Sequence, residues 1–254
     1  MLSLAKEQYK TVTRVAILVF SGIDELDFVI PHRVFNGVVK MNGTLTKCDL
    51  VAAEGVTQVT SGHGLTAKVD VVLSAASAPN YDLVVVPGGR NAYQPTAFAQ
   101  PPILADPNLV DLLKKVAAAN PSILFASICT GAFLLASADI LGPGSSVSTH
   151  HRARQNLAEL GVNVVTDRVA LTAGSDNNKS SNSKKNDSGY GNNTDSGDSR
   201  NSDTTARVVL TAGGITSALD LSFAILELIL GPEQADLSAA TLEYFGRFVL
   251  KEQT

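Results

Sequence analysis

Short runs of apolar residues recur along the chain, and each run is continuous rather than alternating with polar residues. The runs are RVAILVF at 14–20, TKCDLVAAE at 46–54, YDLVVVPGG at 81–89 and SILFASIC at 122–129. A continuous apolar run of this length is typical of a strand that is buried on both faces of a sheet. Such strands occur in mainly parallel sheets that have helices on both sides.

Helical segments alternate with these strands. One helix is predicted from near Pro31 to near Asn42, and a second over residues 106–120, where Asp106 is the N-cap and Pro107 lies in the first turn. The alternation predicts an α/β fold, a three-layer sandwich with a mainly parallel central sheet flanked by helices, as in flavodoxin-like proteins. In such folds ligands bind at the carboxyl ends of the strands.

Composition limits the partners that the chain is expected to have. It has 254 residues, 44% of them hydrophobic, which is enough for one domain over residues 1–254. The net charge is −4 and the basic residues are scattered, so nucleic acid is not expected as a partner. The sequence has no apolar stretch of about 18 residues, so no association with a membrane is expected either. Cys48 and Cys129 form no secreted-type framework and no signal peptide is recognised, which predicts a cytoplasmic location.

One polar segment interrupts the domain. Residues 175–205 consist mainly of Ser, Asn, Asp, Gly and Lys, a composition that predicts a disordered insert. The flanking octapeptides RVALTAGS (168–175) and RVVLTAGG (207–214) are nearly identical. We expect them to pair as a β-hairpin that carries the insert at its tip, because lengthening a loop adds little closure entropy.

The strand at 122–129 ends in Cys129, and Thr130, Gly131 and an apolar helix follow directly. A nucleophile between a strand and a helix is typical of a nucleophile elbow, in which a tight turn presents the side chain to a substrate. Amide groups at the start of the helix would stabilise a thiolate, so we expect the pKa of the Cys129 thiol to be lowered. The alternative is an inert cysteine that is packed in the core.

Two further features could assist such a thiol. Gly88 and Gly89 end the strand at 81–89, and an N–H group there could form an oxyanion hole with that of Thr130; an ordinary turn is the alternative. Asp27 follows the first strand between apolar neighbours, so burial could raise its pKa and make it a proton donor. Its alternative role is to cap the next helix.

Histidines offer another kind of partner for the thiol. His150 and His151 follow a strand-like run and precede an amphipathic helix, so a Cys–His pair is one interpretation. A metal site there is disfavoured, since no acid or cysteine stands at ligand spacing. His32 and His63 are isolated in the sequence and are interpreted as surface or turn residues.

Four motifs follow one another along residues 13–245: SGIDELDFVIPHRVF, YDLVVVPGG, SICTGAFLLASADILGPGSSVSTHH and LTAGGITSALDLSFAILE. Together they resemble the ThiJ/PfpI superfamily, which shares the fold of class I glutamine amidotransferases. Within it they are similar to the isonitrile hydratase branch. The chain differs from that branch at Val29, Ile30 and Arg33 and in having no tryptophan, and these differences bear on the identity of the substrate.

The resemblance implies an isonitrile hydratase-like lyase, which adds water to an isocyanide and releases an N-substituted formamide. It implies that Cys129 is the nucleophile, that Asp27 is the acid beside it, and that Thr130 and Gly89 supply backbone amides. We expect Gly88 and His150 to line the substrate site. No metal or organic cofactor is implied, and the expected partners are a small-molecule substrate and a second copy of the chain in a homodimer.

Two other functions are open at the level of sequence. One is another cysteine-dependent small-molecule enzyme, glyoxalase-like or amidase-like. Many such relatives have His directly after the cysteine, where this chain has Thr130. The other is a non-enzymatic sensor of a ligand or of redox state, in which oxidation of Cys129 to sulfinic acid would be the signal.

Overall fold

The structure of the protein is a computed structural model. It describes residues 2–42, 45–90, 92, 106–173 and 207–246. The insert expected at 175–205 therefore lies outside the described residues.

The strands of the described residues fall into one large sheet and two small pairs. In chain order they are β1 Arg14–Leu18, β2 Lys47–Ala52, β3 Gln58–Thr60, β4 Thr66–Lys68, β5 Val71–Val72, β6 Leu83–Val86, β7 Leu124–Ile128, β8 Ser146–Val147, β9 Asn163–Val164, β10 Val169–Ala173 and β11 Val208–Ala212. The four apolar runs correspond to β1, β2, β6 and β7, each almost wholly buried. The short strands β3, β4 and β5 have no such run and were not expected from the sequence.

The large sheet has the strand order β10-β11-β7-β6-β1-β2-β5. All of its pairings are parallel except that between β10 and β11. The chain first builds outward from β1 through β2 to β5 and then returns to the other side of β1 with β6. This reversal places the carboxyl ends of β1, β6 and β7 side by side, at the kind of crevice where α/β proteins bind ligands.

Helices cover both faces of the sheet, which confirms the three-layer α/β fold. The longer ones in the described residues are α1 Leu2–Tyr9, α2 Glu25–Asn42, α3 Pro107–Ala119, α4 Gly131–Ser137, α5 Arg154–Ala158, α6 Ser217–Leu230 and α7 Pro232–Ala240. On one face α2 and α6 pack against each other, with α1 and α7 against α6; on the other face α3 packs against α4. None of the described helices has the length and apolar character needed to cross a membrane.

The start of α2 differs from the sequence prediction. The helix begins at Glu25 rather than near Pro31, so Pro31 lies within it. The Asp24 side chain caps the helix by accepting a hydrogen bond from the N–H of Leu26 (3.1 Å). Pro31 has no N–H to offer to the carbonyl of the residue four positions earlier, which is Asp27. Asp27 therefore sits in the first turn of the helix and is not its cap.

The expected hairpin is confirmed. β10 and β11 pair antiparallel, with Val169 opposite Ala212 and Ala173 opposite Val208. β10 forms the edge of the large sheet, and the chain between the two strands leaves the hairpin at Ala173 and returns at Val208. The residues of the predicted insert thus connect strands that are already paired along their whole length.

Gly131 brings α4 close to the end of β6. A Cβ atom at this position would overlap the carbonyl oxygen of Val86 and would lie 2.8 Å from that of Pro87. Because both neighbours are backbone atoms, a side chain can be accommodated only if the helix and the strand move apart. The absence of a side chain thus permits the tight turn after Cys129.

We predict that Gly131→Ala destabilises the fold by about 1–3 kcal/mol, since the added methyl group forces backbone displacement at this contact. The midpoint of urea unfolding measures the effect. Gly62→Ala is a matched control, because a Cβ at Gly62 would meet the Ile23 carbonyl oxygen at an ordinary distance of 3.6 Å. Equal midpoints for the two variants would show that the Gly131 contact is not tight.

Candidate active site

Cys129 occupies a strained position at the carboxyl end of β7. Its φ angle is +56°, in the left-handed region that residues other than glycine rarely adopt. Its N–H is shared between the carbonyl oxygens of Ala212 and Gly213, 3.1 Å from each, which ties the turn to the end of β11. Strain of this kind is maintained by surrounding contacts and is typical of functional sites, including nucleophile elbows.

Gly88 lies against this turn from the neighbouring strand β6. A Cβ atom on Gly88 would be 2.8 Å from the Cβ of Cys129 and 2.7 Å from the amide nitrogen of Thr130. The backbone after β6 therefore touches the elbow directly. Gly89, with φ +142°, continues this segment and pairs with Ile23 in an isolated bridge. The two glycines thus join the elbow to the segment between β1 and α2.

The Asp27 carboxyl group is fully buried beside this contact. Its Oδ2 accepts a hydrogen bond from the N–H of Gly88 (3.0 Å), whereas Oδ1 has no partner of hydrogen-bond geometry among the described residues. Burial, with a further contribution from the charge of Asp24, holds the pKa of Asp27 well above its usual range; the Gly88 amide and the Cys129 thiol act in the opposite direction. A raised pKa widens the pH range over which this carboxyl group holds a proton that it can donate.

The pKa of the Cys129 thiol is raised, so the prediction of a lowered value is wrong for this structure. The main cause is burial, since only 8% of the residue is exposed, and the charge of Asp27 adds to it. The N–H and hydroxyl groups of Thr130 favour the thiolate but do not outweigh these effects. Cys129 and Asp27 thus form a coupled pair whose neutral forms are favoured.

Two of the amide groups expected near an oxyanion hole, those of Gly88 and Gly89, are already engaged. The N–H of Gly89 donates to the Thr130 hydroxyl oxygen (3.0 Å), and that hydroxyl lies 3.3 Å from the Gly89 carbonyl oxygen, to which it donates. The N–H of Gly88 is bound to Asp27. A substrate oxyanion can therefore use the Gly89 amide only after the Thr130 side chain has rotated away from it.

His150 lies beside the elbow but does not bond to it. The hydroxyl of the preceding residue, Thr149, donates to the carbonyl oxygen of Cys129 (2.7 Å), which places this segment next to the turn. The imidazole packs against Gly214, and its Nδ1 accepts from the N–H of Arg152 (3.3 Å). Burial first and then neighbouring positive charges lower the pKa of His150, which favours the neutral ring. Among the described residues no hydrogen bond joins it to Cys129, so a Cys–His pair is not formed.

Three residues of this site were missed at the level of sequence. Asp24 influences the titration of Asp27, Cys129 and His150 through its charge. Thr149 fixes the elbow carbonyl, as described above. Ile215 has a φ angle of +53° in the loop after β11, a conformation that a β-branched residue rarely adopts. Only Asp24 had a visible signal, as one of three acids in a single turn.

A cavity of about 650 Å³ lies nearby but is separate from the thiol. It is bounded by the ends of β1 and β2, the segment after β5 and the first turns of α3. Cys129 is not among its lining residues. The coupled thiol and carboxyl, rather than this cavity, therefore define the candidate active site.

The fold and this site define a class of protein: a flavodoxin-like α/β domain with a cysteine at a strand-to-helix elbow and a buried carboxyl group beside it. Comparison with known families agrees with this class. Residues 13–189 match the DJ-1/PfpI family, and the chain belongs to that family.

Individual relatives extend the comparison. The chain is 25% identical to an isonitrile hydratase of Pseudomonas putida over 231 residues, which cover 91% of this chain and 78% of that protein. Among solved structures it is similar to Schizosaccharomyces pombe DJ-1, with a TM-score of 0.60, 17% identity and coverage of 90% and 98% of the two chains. It is also similar to an AraC family transcriptional regulator from Pseudomonas putida, with a TM-score of 0.62, 18% identity and coverage of 90% and 98%. The structural likenesses bear on the fold alone.

We predict that Asp27→Asn lowers the pKa of the Cys129 thiol, because ionised Asp27 places a negative charge beside the sulfur that disfavours the thiolate, and the substitution removes it. The pH dependence of the rate of alkylation by iodoacetamide measures this pKa, with Cys129→Ser to subtract the reaction of Cys48. Asp111→Asn, on the exposed side of α3, is the control and is expected to leave the profile unchanged. Identical profiles for wild type and Asp27→Asn would show that the two groups are not coupled.

The raised pKa of Asp27 also predicts a dependence of stability on pH. Its folded-state pKa exceeds its usual value of 3.8, so the stability that it contributes is fully present below 3.8 and is lost as the pH rises through the folded-state value. Asp27→Asn should therefore gain stability relative to wild type between about pH 4 and pH 8. Thermal unfolding at both values tests this, and a difference independent of pH would contradict it.

Proposed function

We propose that the protein is an isonitrile hydratase-like lyase, which adds water to an isocyanide to give an N-substituted formamide. The observation that carries the proposal is the Asp27 carboxyl group, buried, held by the Gly88 amide and coupled to the Cys129 thiol. Hydration of an isocyanide needs a nucleophile and a group that moves protons at the same carbon. This pair supplies both without a metal or an organic cofactor.

In the proposed reaction the Cys129 sulfur forms a bond to the terminal carbon of R–N≡C. Asp27 gives its proton to that carbon and receives the proton of the thiol, so the product of this step is a thioimidate, R–N=CH–S–Cys. Water then adds to the same carbon, and one of its protons goes to the nitrogen. Collapse of this intermediate breaks the C–S bond and returns a proton to the sulfur, which releases R–NH–CHO and restores the thiol.

The raised pKa values of both groups support this order of events. A raised pKa makes Asp27 better able to hold the proton that it gives to the carbon in the first step. The Cys129 thiol need not ionise in advance, because its proton leaves as the carbon–sulfur bond forms. Thr130 assists through its backbone N–H, which favours negative charge on the sulfur, and its hydroxyl would add to this effect once it has rotated away from the Gly89 carbonyl oxygen.

Gly88, Gly89 and His150 are proposed to border the substrate. The two glycines lie in contact with the elbow, and His150 presents a half-buried, neutral ring beside it. A neutral rim suits an uncharged isocyanide. We further propose that the chain acts as a homodimer in the cytoplasm, as expected from the sequence, and the molar mass in solution tests the dimer.

We predict that the purified protein forms N-substituted formamides from simple alkyl and aryl isocyanides. Cys129→Ser should abolish the product, and Asp27→Asn should lower kcat by about 10²–10⁴-fold, the usual contribution of a positioned proton-transfer group. Asp111→Asn is expected to retain the wild-type rate. Chromatographic detection of the formamide provides the measurement.

The same preparation distinguishes the other functions. Lack of formamide while Cys129 is reduced and reacts with iodoacetamide would refute the proposal. Conversion of methylglyoxal to lactate would instead indicate a glyoxalase-like enzyme. Inactivity toward both, together with selective oxidation of Cys129 to a sulfinic acid by peroxide, would indicate a redox sensor.

A further inference from the structure

Asp24, Glu25 and His63 form a cluster of potential metal ligands near the elbow. One carboxylate oxygen from each acid and a ring nitrogen of the histidine all lie within 4.8 Å of one another. The closest contact, 2.7 Å, joins Nδ1 of His63 to Oε2 of Glu25. Asp24 and Glu25 are adjacent at the start of α2, whereas His63 comes from the turn between β3 and β4, so only the fold brings the three together.

The backbone around this cluster is fixed by hydrogen bonds between the two segments. The N–H of Gly62 donates to the carbonyl oxygen of Ile23 (2.8 Å). Oε1 of Glu25 accepts from the Ser61 hydroxyl (2.5 Å) and from the N–H of His63 (3.0 Å). The Glu25 carboxylate is therefore oriented by the Ser61 hydroxyl and by the backbone of His63, and the ligands of established metal sites are hydrogen-bonded in a similar way.

Charge also favours a cation at this position. The Glu25 carboxyl group is one source of negative charge in the cluster. Asp24 adds a second carboxylate, and its charge acts on both His63 and Cys129. The positive charge of Arg90 acts on His63 as well, but it is the weakest of the influences on that ring.

A simple surface ion pair explains less of this arrangement. An exposed His–Glu pair contributes little to stability and requires no second carboxylate. Two carboxylates and one imidazole from two chain segments form a ligand set that suits divalent ions such as Zn²⁺, whose remaining positions water can fill. The His63 side chain is 77% exposed, so its ring can turn to bring the ligand atoms to the metal-ligand distances of about 2.0–2.2 Å.

We propose that Asp24, Glu25 and His63 bind a divalent metal ion of the Zn²⁺ type at the edge of the candidate active site. The site does not include the sulfur of Cys129, and its existence does not depend on the reaction proposed above. The charge of Asp24 acts on the Cys129 thiol, so a metal ion bound to Asp24 would also change the electrostatic potential at the elbow.

Calorimetric titration of the untagged protein with Zn²⁺ tests the proposal. Wild type and Cys129→Ser are expected to bind one ion with equal affinity. His63→Ala should weaken binding by about tenfold or more, the size of effect that even outer partners of metal ligands produce. His151→Ala, which removes another exposed imidazole, should leave the affinity unchanged.

Several results would overturn the proposal. They are the absence of Zn²⁺ binding to wild type, an unchanged affinity in His63→Ala, or a loss of binding in Cys129→Ser, which would assign the metal to the elbow sulfur. Because His63 is exposed, its substitution should leave thermal unfolding of the metal-free protein unchanged, and Glu25→Gln provides a second variant with the same expected weakening. Formamide production is not measured in any of these experiments, so their outcome is separate from that of the proposed function.

Discussion

The contact of Gly88 with both the acid and the thiol is the constraint on which the site depends. Its N–H binds the Asp27 carboxyl group, and its Cα lies so close to Cys129 that a side chain would overlap the elbow. β1 and β6 are neighbours in the sheet, as are β6 and β7, so the three segments that carry these residues end at one edge. The order of the parallel strands thus brings the Asp27 carboxyl group next to the Cys129 sulfur.

Burial gives this pair an unusual resting state. A helix N-terminus alone would favour a thiolate, but α4 has only seven residues and only 8% of Cys129 is exposed. Burial disfavours the charged forms of both Cys129 and Asp27, so each group holds its proton to a higher pH than it would in water. Chemistry from this state requires a proton to move as the new bond forms, in contrast to enzymes that hold a thiolate in advance.

Local sequence patterns predicted most of the strands of the large sheet but not the pKa shifts of the site residues. Continuous apolar runs identified β1, β2, β6 and β7, and the Asp106 cap identified α3, because these signals arise from neighbouring residues. Pro31 suggested a false helix start, since the competing signal was the Asp24 cap, which acts seven residues earlier. The engagement of the Gly89 amide and the raised pKa of Cys129 arise from contacts between distant segments, which no local pattern contains.

The connection between β10 and β11 lies far from Cys129 and Asp27, so a change in its length does not reach these two residues. β11 runs parallel to β7, and its first residue, Val208, lies at the edge of the sheet opposite the one that carries Cys129. Five residues of extended strand separate the two edges by about 16 Å. The connection between the hairpin strands can therefore lengthen, shorten or receive a fused domain in the course of evolution, while the strand ends that hold the sulfur and the acid keep their places.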